Sequence, residues 1–297
     1  RQGDPLSCNL FNLIMEAVIR RAGVEKCGTI FFKSVQLLAY ADDIDIIGKS
    51  KRAVSAAFSD IQKESAKVDL MVNQAKTKYM HSTSQSAKRA NTQIVAGDYT
   101  FEAVNDFVYL GTIVSRDNNI SLEINRRIAS ANRCYFGLSK QMRSKALSRK
   151  TKLTLYKTLI MPVLLYGAES WTISASDAAA LGVFERKILR KIFGPIRSGD
   201  DYRIRMNHEL YELYADIDII QRIKNQRLRW LGHVVRMDNN APARRVFDGV
   251  CPGTRKRGAP KLRWKDQLLE DLSSLGVTDW RRRALDRDAW RRMIGRP

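Results

Sequence analysis

The stretch Leu37-Leu38-Ala39-Tyr40-Ala41-Asp42-Asp43-Ile44-Asp45-Ile46-Ile47 restricts the fold more than any other part of the chain. Apolar, β-branched and aromatic residues flank two adjacent carboxylates. With Phe31, Phe32 and Val35 upstream, residues 30–47 read as a β-hairpin whose tip carries the acids. Two like charges side by side resist desolvation, so the tip must meet water or a cation. Asp45 is expected on the other side of the pleat or in solvent, in a structural or electrostatic role.

A helix is expected on either side of this hairpin. Over 9–22, Leu10, Leu13, Ile14, Ala17 and Val18 recur at helical spacing and Gly23 stops the run; a second helix covers 51–68. Short strand-like runs at 70–80 and 92–114 complete an α+β layout. From about residue 121 the period becomes helical throughout: 121–142, 149–166 with an interruption at Pro162, 176–193 capped by Ser176 and ended by Gly194-Pro195, 216–237, 262–275 and 279–294. Residues 238–261 read as a Gly/Pro-rich loop. The division expected is 1–120, 121–200 and 201–297.

Charge divides the chain in the same way. Positions 1–120 hold 15 basic and 13 acidic residues, whereas 121–297 hold 37 and 18, so nearly all of the net +21 lies in the helical part. Such an asymmetry implies a polyanionic partner, because each phosphate neutralised releases a condensed counterion. An acidic membrane surface is the weaker alternative. Cys8, Cys27, Cys134 and Cys251 are scattered, and His81, His208 and His233 do not join them at ligand spacing, which argues against zinc and against a disulfide framework. There is no signal peptide, and the longest apolar run, Leu159 to Tyr166, is too short to span a bilayer. A soluble, intracellular chain is expected, in the nucleus if its partner is nucleic acid.

Chemically, Asp42 and Asp43 admit two readings. They are either an exposed acidic turn without a task, or hard oxygen ligands for Mg²⁺, which keeps waters and takes phosphates as further ligands. Two such ions could activate a 3′-hydroxyl and stabilise leaving pyrophosphate. Lys76 could neutralise or protonate that pyrophosphate, or simply be solvated. Gln2-Gly3 ahead of a helix allows close backbone approach to a ligand. Phe107, Tyr109 and Leu110 alternate like a half-buried strand, with core packing as their first role. Arg255-Lys256-Arg257 suits phosphate, nuclear import or plain solvation. Trp230, Trp264, Trp280 and Trp290 lie close to arginines and could stack on bases, although Trp230 and Trp264 are expected in the core.

Four segments in order give the chain a resemblance to the reverse transcriptases of non-LTR (LINE-type) retrotransposons. Arg1-Gln2-Gly3-Asp4-Pro5-Leu6-Ser7 resembles motif B, which contacts template and incoming nucleotide. Tyr40-Ala41-Asp42-Asp43 is similar to motif C, the metal-binding hairpin. Leu70 to Lys78 resembles motif D, with its lysine at Lys76, and Phe107-Val108-Tyr109-Leu110-Gly111 is similar to motif E, the primer grip. Leu159 to Trp171, Arg227 to Met237 and Gly258 to Asp266 resemble later segments of the same elements, so the likeness covers nearly the whole chain. Cys8 stands where the family commonly has proline, and Ala259 where it has arginine. The resemblance implies a partial polymerase palm over 1–120, followed by an all-α basic thumb and C-terminal region. It also implies two Mg²⁺ ions on Asp42 and Asp43, an RNA template, a DNA primer and dNTPs. Because the chain opens at Arg1, inside motif B, it is expected to be a fragment without the motif A aspartate, the fingers or any endonuclease domain, and inactive alone. A non-enzymatic nucleic-acid-binding remnant of a decayed or domesticated element is the alternative, and a protein-interaction scaffold the third.

Overall fold

The computed structural model describes residues 5–24, 35–82, 93–250 and 262–295. They fall into two compact units, 1–118 with 237–256 and 119–236 with 257–297.

The first unit mixes helix and strand. Helix α1 (Pro5–Arg21) opens on proline, whose missing N–H costs nothing in a first turn, and stops at Gly23 with φ +64°. It packs on α2, and Met15, Val18 and Ile19 are buried, while Leu10, Leu13 and Ile14 are exposed. The expected apolar face is thus displaced. This helix is apolar nearly all round, so periodicity alone does not choose the buried side.

Strands β1 (Val35–Tyr40) and β2 (Asp43–Gly48) pair antiparallel from Val35↔Gly48 to Tyr40↔Asp43. Only Ala41 and Asp42 remain for the turn, and Ala41 sits at φ +53°, the left-handed region that tight hairpin turns demand. Helix α2 (Lys51–Ala66) is capped by Ser50 Oγ, which accepts from the Ala53 N–H at 3.2 Å. Its Phe58 meets Ile94, Ala96 and Phe101 in a small core, edge-on to the Phe101 ring at 4.9 Å.

The run at 70–80 shrinks to β3 (Lys78–Tyr79), because Asn73 folds the preceding residues into a turn: its Oδ1 accepts from Lys76 N–H and its carbonyl from Thr77 N–H. β3 lies parallel to β5 (Tyr99–Ala103), which pairs antiparallel with β4 (Ile94–Ala96). A separate hairpin, β6 (Asp106–Tyr109) and β7 (Thr112–Ser115), turns on Leu110 and Gly111, both at positive φ. Helix α10 (Pro242–Asp248) stands in what reads as loop from sequence.

The second unit is mainly helical. Its helices are α3 (Ile120–Gly137), α4 (Ser139–Arg143), α5 (Arg149–Leu155), α6 (Met161–Leu164), α7 (Ala175–Phe193), α8 (Asn207–Tyr214), α9 (Ile219–Arg236), α11 (Trp264–Ser274), α12 (Trp280–Leu285) and α13 (Arg287–Ile294). Pro162 acts as expected, one turn early. A π-helical turn, Tyr156–Ile160, absorbs the bond proline cannot make, and Met161 N–H reaches five residues back to the Tyr156 carbonyl. Ser174, not Ser176, caps α7: its Oγ accepts from Asp177 N–H, and Asp177 Oδ2 accepts from Ser174 N–H in return.

Near the centre of this core Glu185 is fully buried. Its carboxylate accepts from the hydroxyls of Tyr156 at 3.3 Å and Tyr211 at 3.1 Å, and from Ile219 N–H at 3.2 Å. Burial raises its pKa, which these donors only partly offset. A carboxyl whose folded pKa lies above its unfolded one contributes stability at low pH and loses it as pH rises through the raised value. Denaturant midpoints should therefore fall as pH climbs out of the ordinary carboxyl range. Glu185→Gln, which keeps the shape and can donate to the Tyr156 hydroxyl while its oxygen still accepts from Tyr211 and Ile219 N–H, should flatten that limb and raise the midpoint at neutral pH.

The tryptophans sort against expectation. Trp290 and Trp171 are buried, Trp264 is half-buried and donates from Nε1 to the Glu169 carbonyl at 2.7 Å, and Trp230 is 36% exposed. Helix α9 points Arg227 and Leu228 inward, and the ring of Trp290 takes the adjoining inner position beside Gly232.

Candidate active site

The first unit gathers the acids. Asp42 is the second turn residue and Asp43 opens β2; both are exposed. Side chains alternate along a strand, so Asp43 and Asp45 share one face while Ile44 and Ile46 occupy the other. Ile46 packs against the Phe58 core, which fixes the acidic face outward. Asp45 is thus not across the pleat from Asp43 but beside it. It is half-buried, and burial raises its pKa. The spacing Asp43-x-Asp45 was the signal for this shared face.

The charges of these carboxylates reach Tyr109 on the β6–β7 hairpin. Burial raises the pKa of its phenol, and the charges of Asp45 and then Asp43 hold the proton further. Tyr109 is half-buried, but Phe107 and Leu110 are exposed, so core packing is not their role. Leu110 is lifted out by its place in the turn. Gly111 supplies the second left-handed turn position, at φ +80°. Tyr40, the cross-strand partner of Asp43, is also exposed. Lys76 is exposed on the Asn73 turn, and among the described residues no ion pair joins it to Asp42 or Asp43. Gln2, Gly3, Arg255, Lys256 and Arg257 lie outside the described residues.

Two neighbouring, water-facing carboxylates fit part of a divalent-cation site, where waters and substrate phosphates supply the remaining oxygens. Among the described residues no group of three or more His, Cys, Asp or Glu side chains is placed to hold a metal.

The reverse transcriptase (RNA-dependent DNA polymerase) family matches residues 1–114. Over 62 residues the chain is also 36% identical to the retrovirus-related Pol polyprotein from type-1 retrotransposable element R2 of Nasonia vitripennis, 21% of this chain and 6% of that protein. Residues 1–114 thus carry the likeness to reverse transcriptases. A transposon-derived protein of Caenorhabditis elegans is 24% identical over 266 residues, 87% of this chain and 95% of that protein, so the likeness continues through the helical unit. The reverse-transcriptase match takes in the whole β1–β2 hairpin and reaches into β7, and therefore contains Asp42, Asp43, Asp45 and Tyr109. No helix among the described residues is long and apolar enough to cross a membrane.

Proposed function

We propose that the first unit is the part of a polymerase palm that carries two of the metal-binding carboxylates of RNA-directed DNA synthesis. Asp42 and Asp43 would hold Mg²⁺, which supplies charge neutralisation at the attacking and leaving oxygens. Asp45 and Tyr109 line the same face and set the local field. Lys76, Gln2, Gly3 and Tyr40 are proposed on the nucleotide and template side, and Phe107 to Gly111 on the primer side. The nucleic-acid partners are an RNA template and a DNA primer, and a nuclear location goes with them. The boundaries proposed are palm to 120, thumb-like helices to 200 and the basic C-terminal region to 297, with Arg255 to Arg257 on phosphate.

The observation that carries this reading is the placement of Asp42 and Asp43, side by side and exposed, at a tight hairpin tip inside the reverse-transcriptase match. Among the described residues no third acid joins Asp42 and Asp43 in a metal-binding group, so the 297 residues alone are expected to make no DNA. Primer extension on an RNA template with Mg²⁺ and dNTPs tests this. Joined to a palm segment that supplies a third carboxylate, the chain should extend a primer, and Asp42→Asn or Asp43→Asn should lower the rate at least about a thousandfold, the several kcal/mol a catalytic metal contributes. Unchanged synthesis in both variants would remove the reading, and vigorous synthesis by the 297 residues alone would remove the expected inactivity.

The excess of Lys and Arg beyond residue 120 favours a second reading, nucleic-acid binding without catalysis. It requires binding that weakens steeply with salt.

A further inference from the structure

A cavity of about 290 Å³ opens in the second unit beside the π-helical turn. One side is apolar: Met161, Pro162, Leu165 and Ile217. The other brings together Lys157, Arg222 and Arg229, with the amides of Asn225 and Gln226 between them. The widened turn at Tyr156–Ile160 sets the position of Lys157, and such turns recur at functional sites.

Charge here is not balanced internally. Asp216 pairs with both Lys157, at 2.5 Å, and Arg222. Among the described residues Arg229 donates to a neutral acceptor, the Gly295 carbonyl at 3.0 Å, and has no ion-pair partner. Burial, and then the neighbouring charges of Arg291 and Arg222, lower its pKa, so cations are held together against their repulsion. In the wall, Gln226 Oε1 and Arg222 Nε are buried without a hydrogen-bond partner among the described residues. Crowded cations beside an apolar wall with unsatisfied amide and guanidinium groups are complementary to one chemical class: a phosphate carrying a flat, heteroaromatic ring with polar edges.

We propose that this cavity binds one nucleotide unit, its base against Met161, Pro162 and Leu165 and its phosphate at Arg229, Arg222 and Lys157. The unit belongs to a single strand, since a base within a duplex cannot leave its stack without cost. The proposal rests on the chain's handling nucleic acid, but on residues separate from Asp42 and Asp43.

The test is fluorescence anisotropy of the full chain with a labelled 12-nucleotide single strand, the same strand made wholly abasic, and the matching duplex. The intact strand should bind tightest. Ile217→Trp, which fills the cavity from its rim, and Gln226→Met should each weaken the intact strand by about tenfold, the worth of one seated base, and leave the abasic strand unchanged. Arg229→Gln should weaken both strands and lower the salt slope by about 0.7, one phosphate's share. Displacement by a free nucleoside monophosphate at millimolar concentration would assign the site to free nucleotide rather than strand. Equal binding of intact and abasic strands, preference for the duplex, or loss of nothing in folded Ile217→Trp and Gln226→Met would overturn the proposal. Asp42→Asn with Asp43→Asn should bind like the parent, so failure of the polymerase reading stays distinct.

Discussion

Replacing Arg227 by methionine is expected to destabilise the second unit by about 3–5 kcal/mol, the cost of breaking one side of a buried ion pair. Arg227 is 2% exposed and Asp271 5%. The guanidinium donates from Nε to Asp271 Oδ2 at 2.9 Å and from Nη1 to the Trp171 carbonyl at 2.8 Å and to Gln267 Oε1. Gln267 in turn grips the backbone of Ile173 in both directions, accepting from its N–H and donating to its carbonyl. One side chain therefore ties α9 to α11 and to the extended residues ahead of α7. Methionine fills similar volume but leaves the Asp271 carboxylate dry, with Lys224 Nζ 3.7 Å away as its remaining cation. Total stabilities of domains are about 5–15 kcal/mol, so the loss is a large share. Urea unfolding followed through the buried Trp171 measures it. The double variant Arg227→Met with Asp271→Leu should recover most of the loss, since removing both charges removes the unpaired one. If the single variant unfolds at the parent's midpoint, the pair contributes nothing.

Arg227 also shows where the sequence was legible and where it was not. Residues 216–237 read as a basic helix, and the helix is there as α9. Charge alone, however, does not say which way a charge points. Arg227 points into the core, and Arg236 donates to the Ala284 carbonyl at the end of α12, as a cation at a helix C-terminus should. Part of the cationic excess is thus spent inside the fold. The acidic hairpin was readable because alternation and a two-residue turn leave few alternatives, whereas the side that Asp45 faces needed the register, and the approach of Tyr109 needed the tertiary fold. Short elements escaped. Strands β8 (Ile196–Ser198) and β9 (Asp201–Arg203) are three residues each, and α8 has barely two turns, started by Glu209 accepting from Met206 N–H at 2.7 Å. Elements of that length carry too few periods to register as pattern. The resemblance of Arg227 to Met237 to later retrotransposon segments had no physical content until these contacts supplied it.

Gly232→Ala separates two effects of opposite sign. On helix propensity alone, alanine in the interior of α9 would stabilise by about 1 kcal/mol. Packing opposes it. A Cβ at Gly232 would lie 2.5 Å from Trp290 Cδ1, too close for atoms to coexist. The indole cannot retreat easily, because Trp290 is 2% exposed and its Nε1 donates to the Leu228 carbonyl at 2.9 Å, one turn back on the same helix. The ring is rigid, and the contact is with ring atoms, Nε1 and Cδ1, rather than with a flexible end. Undocking it forfeits most of a buried tryptophan, about 3–5 kcal/mol, which exceeds the propensity gain several-fold. Gly232→Ala should therefore destabilise nearly as much as Trp290→Ala, and the two should be strongly non-additive, because the second change has little left to remove. Thermal unfolding of the two single variants and the double measures this directly. A rise in melting temperature for Gly232→Ala would mean that α13 does not rest on α9 through this glycine.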